Sequence, residues 1–248
     1  MTEQKKRFSE FYITTEQKCP YLSGRLERKL FTHLAHDKSP LLIDNLLKTG
    51  FRRSQNIAYI PYCADCKACI SVRVPVDELD LSKSQRRIAK RNQDLIVRRM
   101  SAVPTTEQYI LFRQYVNSRH GDGGMAEMSA YDYSVMINDS VVDTRITEYR
   151  LGKKSESCNN SQPLIAAALC DHLSDGISMV YSYYDVEKSE RSLGTYMIIE
   201  QARYARNIGM PFLYLGYWIA GSRKMCYKTK FLPQEHLGCD GWTRFESD

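Results

Sequence analysis

GISMVYSYYD (176–185), VEKSERSLGT (186–195) and YMIIEQARYARNIGMPFLYLGYW (196–218) decide the fold. Gly176–Tyr184 reads as a strand, rich in aromatic and β-branched residues. The turn Arg191-Ser-Leu-Gly-Thr195 then delivers a helix from about Ser192 to Asn207, closed by Gly209. Pro211–Trp218 is a further apolar strand. Upstream, Thr144–Leu151 and Pro163–Leu173 are strands, and Ser174-Asp175-Gly176 is a hairpin turn into Gly176–Tyr184. An antiparallel meander feeding a helix and another strand predicts an α+β fold. An amphipathic helix over Thr106–Arg119 precedes the meander.

The first hundred residues are organised differently. Ser39 is a plausible N-cap and Pro40 fits the first turn of a helix that Gly50 closes. Along Ile70–Val76, Ile70, Val72, Val74 and Val76 share one face, which predicts a half-buried strand. Pro75 places it at a sheet edge. Ser82–Met100 reads as a basic helical segment. Pro104 and Thr105 open a new pattern, so the expected domains are 1–100, bearing the clustered cysteines, and 101–248. Lys153–Gln162 is an exposed loop within the second.

Composition bounds the function. The chain has 248 residues, 43% of them hydrophobic, enough for one large core or two small ones. Its net charge of +6 is moderate and tells for nucleic acid only where the charge is concentrated. The polar start, Met1–Glu10, has no apolar stretch behind it, and no run approaches the roughly 18–20 apolar residues of a membrane span. The expectation is a cytoplasmic protein with reduced thiols. Of its eight cysteines, the scattered Cys158, Cys170, Cys226 and Cys239 read as small buried hydrophobes.

Five stretches carry chemistry. Cys63, Cys66 and Cys69 have two residues between successive thiols, the spacing that aims neighbouring sulfurs at one ion. With Cys19, the only other cysteine in this half, they form a candidate zinc or iron–sulfur site. His33 and His36 are alternative ligands; a cysteine-rich loop packed under the strand is the competing reading. Lys83, Arg86, Arg87, Lys90 and Arg91 put nearly unmixed positive charge on a helix, a stripe suited to successive phosphates. Asp185 ends a strand, and Ser192, Leu193, Gly194 and Thr195 begin a helix whose free N–H groups favour an anionic or carbonyl oxygen. Between Leu215 and Lys228, Tyr217, Arg223, Lys224 and Tyr227 interleave rings with cations. The loop at Ser118–Met125 holds three glycines and His120.

Several of these stretches, taken in order, resemble one family. Cys19–Thr32, Cys63–Val74, Ser84–Arg87, Arg91-Asn92, Val142–Arg145, Ser192–Thr195 and Leu215–Lys228 are similar to the short bacterial branch of the arginyl-tRNA–protein transferases. The similarity runs from about Phe8 to Pro233. It implies an N-terminal family domain and a C-terminal GNAT-like acyltransferase domain. It also implies transfer of leucine from Leu-tRNA to proteins with N-terminal Asp or Glu, in the N-degron pathway. Relatives that bind an iron–sulfur cluster use a paired CxxC near the N-terminus, whereas here Cys19 is followed three residues later by Leu22.

The resemblance sets the expected roles. The ester of aminoacyl-tRNA is already activated, so the chemistry requires no cofactor and no enzyme nucleophile. Asp185 is the candidate to orient the acceptor amine or take its proton. Arg145, Arg223 and Lys224 are the candidate cations for an acidic acceptor. The rivals are an arginine donor, a GNAT enzyme using acetyl-coenzyme A, and a zinc-bound RNA-binding module. The single glycine in Arg191–Tyr196 tells against the coenzyme A reading.

Overall fold

The meander forms as its residues predict, within a wider sheet. A computed structural model of the chain describes residues 10–34, 40–119, 121, 124–152 and 162–245. In chain order the elements are β1 (Tyr12–Ile13), β2 (Gln17–Lys18), β3 (Leu26–Glu27), β4 (Lys29–His33), α1 (Pro40–Lys48), β5 (Arg52–Ser54), β6 (Ile57–Pro61) and β7 (Cys69–Pro75). There follow α2 (Lys83–Arg91), β8 (Leu95–Ser101), α3 (Thr106–Arg119), α4 (Ala130–Asn138), β9 (Asp143–Leu151), β10 (Leu164–His172) and β11 (Gly176–Tyr184). The chain ends with α5 (Leu193–Asn207), β12 (Phe212–Ile219), β13 (Gln234–Gly238) and β14 (Gly241–Phe245).

The large sheet has the order β14-β13-β7-β12-β11-β10-β9-β8. Only β11 and β12 run parallel, joined by the crossover helix α5. A smaller sheet, β1-β4-β6-β5, is antiparallel throughout. The mixed class matches the α+β expectation. The sheet draws β7 and β8 from the first hundred residues, so position 101 falls at a strand end inside it.

β10 shows how the layers arise. Successive side chains leave a strand on opposite faces. Ala166, Ala168 and Cys170 pack in one core with Met197 and Ile199 of α5, while Ala167 and Leu169 pack in another with Phe112 of α3 and Ile137 of α4. Both faces are covered, which is why the first eight residues of β10 are all buried. A third cluster joins Ile43, Leu47 and Ala58 to Leu173 and Tyr214, fastening α1 and the smaller sheet to the larger one. Beside it Arg53 donates to both oxygens of Asp171, at 2.6 and 2.7 Å, with Thr144 Oγ1 on the same carboxylate at 2.6 Å.

Helix starts follow local chemistry. Ser82 and Gln85 exchange hydrogen bonds at the head of α2, as Ser129 and Asp132 do for α4 and Thr105 and Gln108 for α3.

Three expectations are corrected. The segment Ser82–Met100 is not one helix. Asn92 caps α2, its amide donating to the Ile88 and Arg191 carbonyls, and Leu95–Ser101 then pairs with β9. The β-branched pair Ile96-Val97 suits that strand. β7 is not an edge strand, since β12 and β13 flank it. Pro75 is tolerated because it is the last residue, beyond the β13 ladder, which stops at Arg73. Cys226 and Cys239 are exposed; of the scattered cysteines within the described residues only Cys170 is buried.

Candidate active site

The parallel ladder between β11 and β12 covers only Gly176–Ser178 against Phe212–Tyr214, although the strands run on to Tyr184 and Ile219. Past that point the two strands part. β12 is also bulged against β7 between Tyr214 and Gly216, where Gly216 adopts φ +83°. The extra residue breaks the two-residue alternation, so Tyr214 and Tyr217 both face the smaller sheet. Tyr217 is anchored there, its hydroxyl donating to the Gly50 carbonyl at 2.9 Å.

The N-terminus of α5 stands at the end of β11. Ser192 is left-handed, φ 51° and ψ 48°, and its side chain makes no cap, so it supplies no acceptor to the N–H groups of the first turn. The junction is held from outside. Arg191 grips Asp94 through two hydrogen bonds of 2.9 and 2.8 Å, and Asn92 donates to the Arg191 carbonyl at 2.9 Å. The Arg191 guanidinium holds the Asp94 carboxyl below its usual range. Gly194 is needed for close approach: a Cβ there would stand 3.3 Å from the Tyr184 ring.

Tyrosines line this end of the sheet. Tyr184 packs on Tyr115 of α3, with ring centroids 4.9 Å apart. The Tyr227 hydroxyl is within electrostatic reach of Tyr184. The Tyr181 hydroxyl is buried without a hydrogen-bond partner, and burial pushes it up to about 12. Such rings suit an apolar aminoacyl side chain or a stacked base.

Two buried cations lie on the β12 side. Lys228 is 4% exposed, and its ammonium donates to the Tyr217 carbonyl. Burial, and then the charge of Arg52, bring it down to about 7. Arg52 is 8% exposed, with its guanidinium 5.5 Å from the centre of the Tyr217 ring.

The expected site residues are distributed unevenly. Asp185 caps the short turn that follows β11: its Oδ1 accepts from the Glu187 N–H at 3.0 Å, and Oδ2 lies 3.7 Å from Lys188. Ser192, Leu193, Gly194 and Thr195 open α5 at the end of β11, with Leu193 buried in the core. Tyr227 lies toward Tyr184, whereas Tyr217 is turned to the Gly50 carbonyl on the smaller-sheet side. Arg223 and Lys224 are exposed in the turn after β12. Arg145 is not brought there. It lies on β9, two strands from β11, paired with Asp143 at 3.1 Å.

Lys83, Arg86, Arg87, Lys90 and Arg91 are all exposed, while Gln85, Ala89 and Asn92 turn inward. Arg91 reaches the Glu190 carbonyl, so the basic face ends beside the start of α5.

The thiols of Cys19, Cys63, Cys66 and Cys69 share one region. Cys69 is pushed up to about 11, by burial first and then by the other three. Cys66 is lowered by the Ala68 N–H. Among the described residues, however, no three His, Cys, Asp or Glu side chains stand close enough to hold a metal ion. His33 is exposed and meets the Phe31 ring edge-on. His36, His120 and Cys158 lie outside the described residues.

Tyr181 and Tyr184 belong to the strand-end stretch Tyr181–Asp185 that the sequence marks, whereas Arg52 and Tyr115 carry no such motif. Lys228 closed a selected stretch without being singled out. The only signal for Arg52 was a pair of arginines in a short strand just after Gly50.

Fold and site together define an α+β protein whose opening, between parting parallel strands, combines tyrosines, cations and an uncapped helix N-terminus. The chain belongs to the arginine-tRNA-protein transferase family: the model of its N terminus matches residues 17–87 and that of its C terminus residues 107–238. The aspartate/glutamate leucyltransferase of Sinorhizobium medicae is 52% identical, the match covering 100% of this chain and 96% of the relative. The protein of the same name from Rhizobium meliloti is 50% identical with the same coverage. Among solved structures, FemX shares the fold, with TM-score 0.53 and 11% identity over 82% of this chain and 67% of FemX. Among the described residues, no helix is long and apolar enough to cross a membrane.

Proposed function

We propose that this protein transfers leucine from leucyl-tRNA to the N-terminal amine of proteins that begin with Asp or Glu, in a cytoplasmic N-degron pathway. The observation that carries this reading is a convergence at one end of the sheet. The uncapped start of α5, the tyrosine-lined opening and the end of the basic face of α2 meet there. The names of the relatives support the donor and the acceptor. We read β11, α5 and β12 as a GNAT-like acyl-transfer core.

The acceptor amine attacks the ester carbonyl, the new amide bond forms, and the bond to the terminal ribose oxygen breaks. An α-amine of pKa near 7.7–8.0 is largely protonated at neutral pH and must lose a proton first. That first proton goes to solvent. Asp185 is the group assigned to orient the amine and to receive the second proton, released as the amide forms, which passes on to the departing ribose oxygen. The Gly194 and Thr195 N–H groups stabilise the oxyanion, being pre-aimed at the helix start. The α2 face holds tRNA phosphates. Cys19, Cys63, Cys66 and Cys69 share one region but are not drawn together as a metal site among the described residues, and no step passes through zinc or an iron–sulfur cluster.

The test is to incubate the protein with an Asp-starting peptide and either leucyl-tRNA or arginyl-tRNA. The expected product is a leucine adduct by mass. An arginine adduct alone would replace the donor, and no adduct with either would overturn the reading.

A further inference from the structure

We propose that Arg52 and Lys228 form a buried subsite for the side-chain carboxylate of the acceptor's N-terminal Asp or Glu, and so set the acidic preference. The proposal deepens the aminoacyl-transfer reading and rests on it.

Arg52 and Arg53 are neighbours on β5 with opposite fates. Arg53 has a buried carboxylate, Asp171. Arg52 is as firmly enclosed, yet its Nε, Nη1 and Nη2 are buried without a hydrogen-bond acceptor. Among the described residues, neither Arg52 nor Lys228 forms an ion pair with an acidic side chain. A buried, unpaired cation is strongly unfavourable, and beside this one stands a buried amine that burial and the Arg52 charge bring down to about 7.

Both converge on one point of the backbone. A Cβ added to Gly216 would lie 3.6 Å from Lys228 Nζ and 3.8 Å from Arg52 Nε. Gly216 keeps its left-handed bulge and leaves that side open. Burial lowers the Arg52 guanidinium, and Tyr217, Tyr59 and Tyr214 partly oppose that shift. Lys228 Nζ donates to the Tyr217 carbonyl on β12, beyond Tyr214, where the ladder between β11 and β12 ends, so it stands on the β12 side of the gap between those strands. The subsite therefore borders the opening assigned to transfer.

A planar guanidinium with free donors matches a carboxylate through two parallel hydrogen bonds. A carboxylate on one or two methylenes reaches into so enclosed a site, whereas a phosphodiester carries ribose on both sides. An Asn or Gln acceptor would leave both cations unpaired, the strongest form of discrimination available to a buried site. The exposed Arg223 and Lys224 have water as a competitor, and Arg145 is already paired.

The experiment compares Asp-starting and Asn-starting peptides of otherwise identical sequence. Binding to wild type, Arg52→Met and Lys228→Met is measured by calorimetry, alongside leucyl-tRNA affinity and thermal melting. Wild type should prefer the Asp peptide more than tenfold. Arg52→Met should lose that preference by weakening the Asp peptide alone, with leucyl-tRNA affinity unchanged. Arg52→Lys should recover part of it. Retention of the preference in Arg52→Met overturns the proposal. So does loss of tRNA affinity with the preference intact, since the guanidinium would then hold a phosphate. If Arg52→Met does not fold, Lys228→Met and Arg52→Lys carry the same comparison. A wild type that transfers no leucine, yet binds Asp peptide through Arg52, would sink the transfer reading and keep the subsite. Transfer with an Arg52-independent preference would do the reverse.

Discussion

Arg53 and Asp171 lock β5 to β10 through two hydrogen bonds of 2.6 and 2.7 Å, with both side chains 1% exposed. Side chains alternate along a strand, so fixing Arg53 also fixes the direction of Arg52. A structural ion pair and an unpaired cation beside the opening are thus set by one short strand.

Asp171→Asn should destabilise the fold by about 3–5 kcal/mol, because it leaves the Arg53 charge buried without its carboxylate. Urea unfolding measures this. Adding Arg53→Met should recover much of the loss, since the second change removes the stranded charge.

Asp94→Ala frees Arg191, the external clamp on the start of α5. The pair is partly exposed, with side chains 19% and 45% accessible, so stability should change by about 1 kcal/mol or less. The transfer rate should fall by about 10–100-fold, because small misplacements of reacting groups are costly. Unfolding and single-turnover kinetics on one preparation separate the two effects.

Asp185→Asn is a clean test of charge. Asn caps as well as Asp, so the hydrogen bond to the Glu187 N–H survives and stability should hold within about 0.5 kcal/mol. A role in proton transfer predicts about 100-fold slower leucine transfer. A wild-type rate would remove Asp185 from the mechanism.

Lys228 makes stability depend on pH. Its folded value of about 7 lies below the ordinary 10.5, so the folded state binds fewer protons than the unfolded one between these values. Stability should rise with pH across that window, and below about 7 the full cost of a buried ammonium applies. Lys228→Met should flatten the rise, as read from urea midpoints at a series of pH values.

Charge reversal at Arg86 and Arg87, both exposed, should leave the fold intact and weaken tRNA binding. The slope of log affinity against log salt should shrink by about 0.7–0.9 for each phosphate that the helix no longer neutralises. An unchanged slope would place the tRNA elsewhere.

The sequence by itself determined what is local. The meander of β9, β10 and β11, the start of α3 after Thr105 and the left-handed Gly209 after α5 follow from residue periods and end signals that act over a few positions. Ser192–Thr195 and Leu215–Lys228 were likewise legible as a helix start and as a strand end with the turn after it. The tertiary structure decided what depends on distant partners. β7 reads as an edge strand until β12 and β13 flank it, and Ser82–Met100 reads as one helix until β9 claims Leu95–Ser101. Arg52, Arg53 and Arg145 are alike as letters. One faces Lys228 across 176 positions of chain, one holds Asp171, and one is spent on Asp143. An arginine's role depends on which charge meets it in a medium of low dielectric, and only the folded chain brings those groups together.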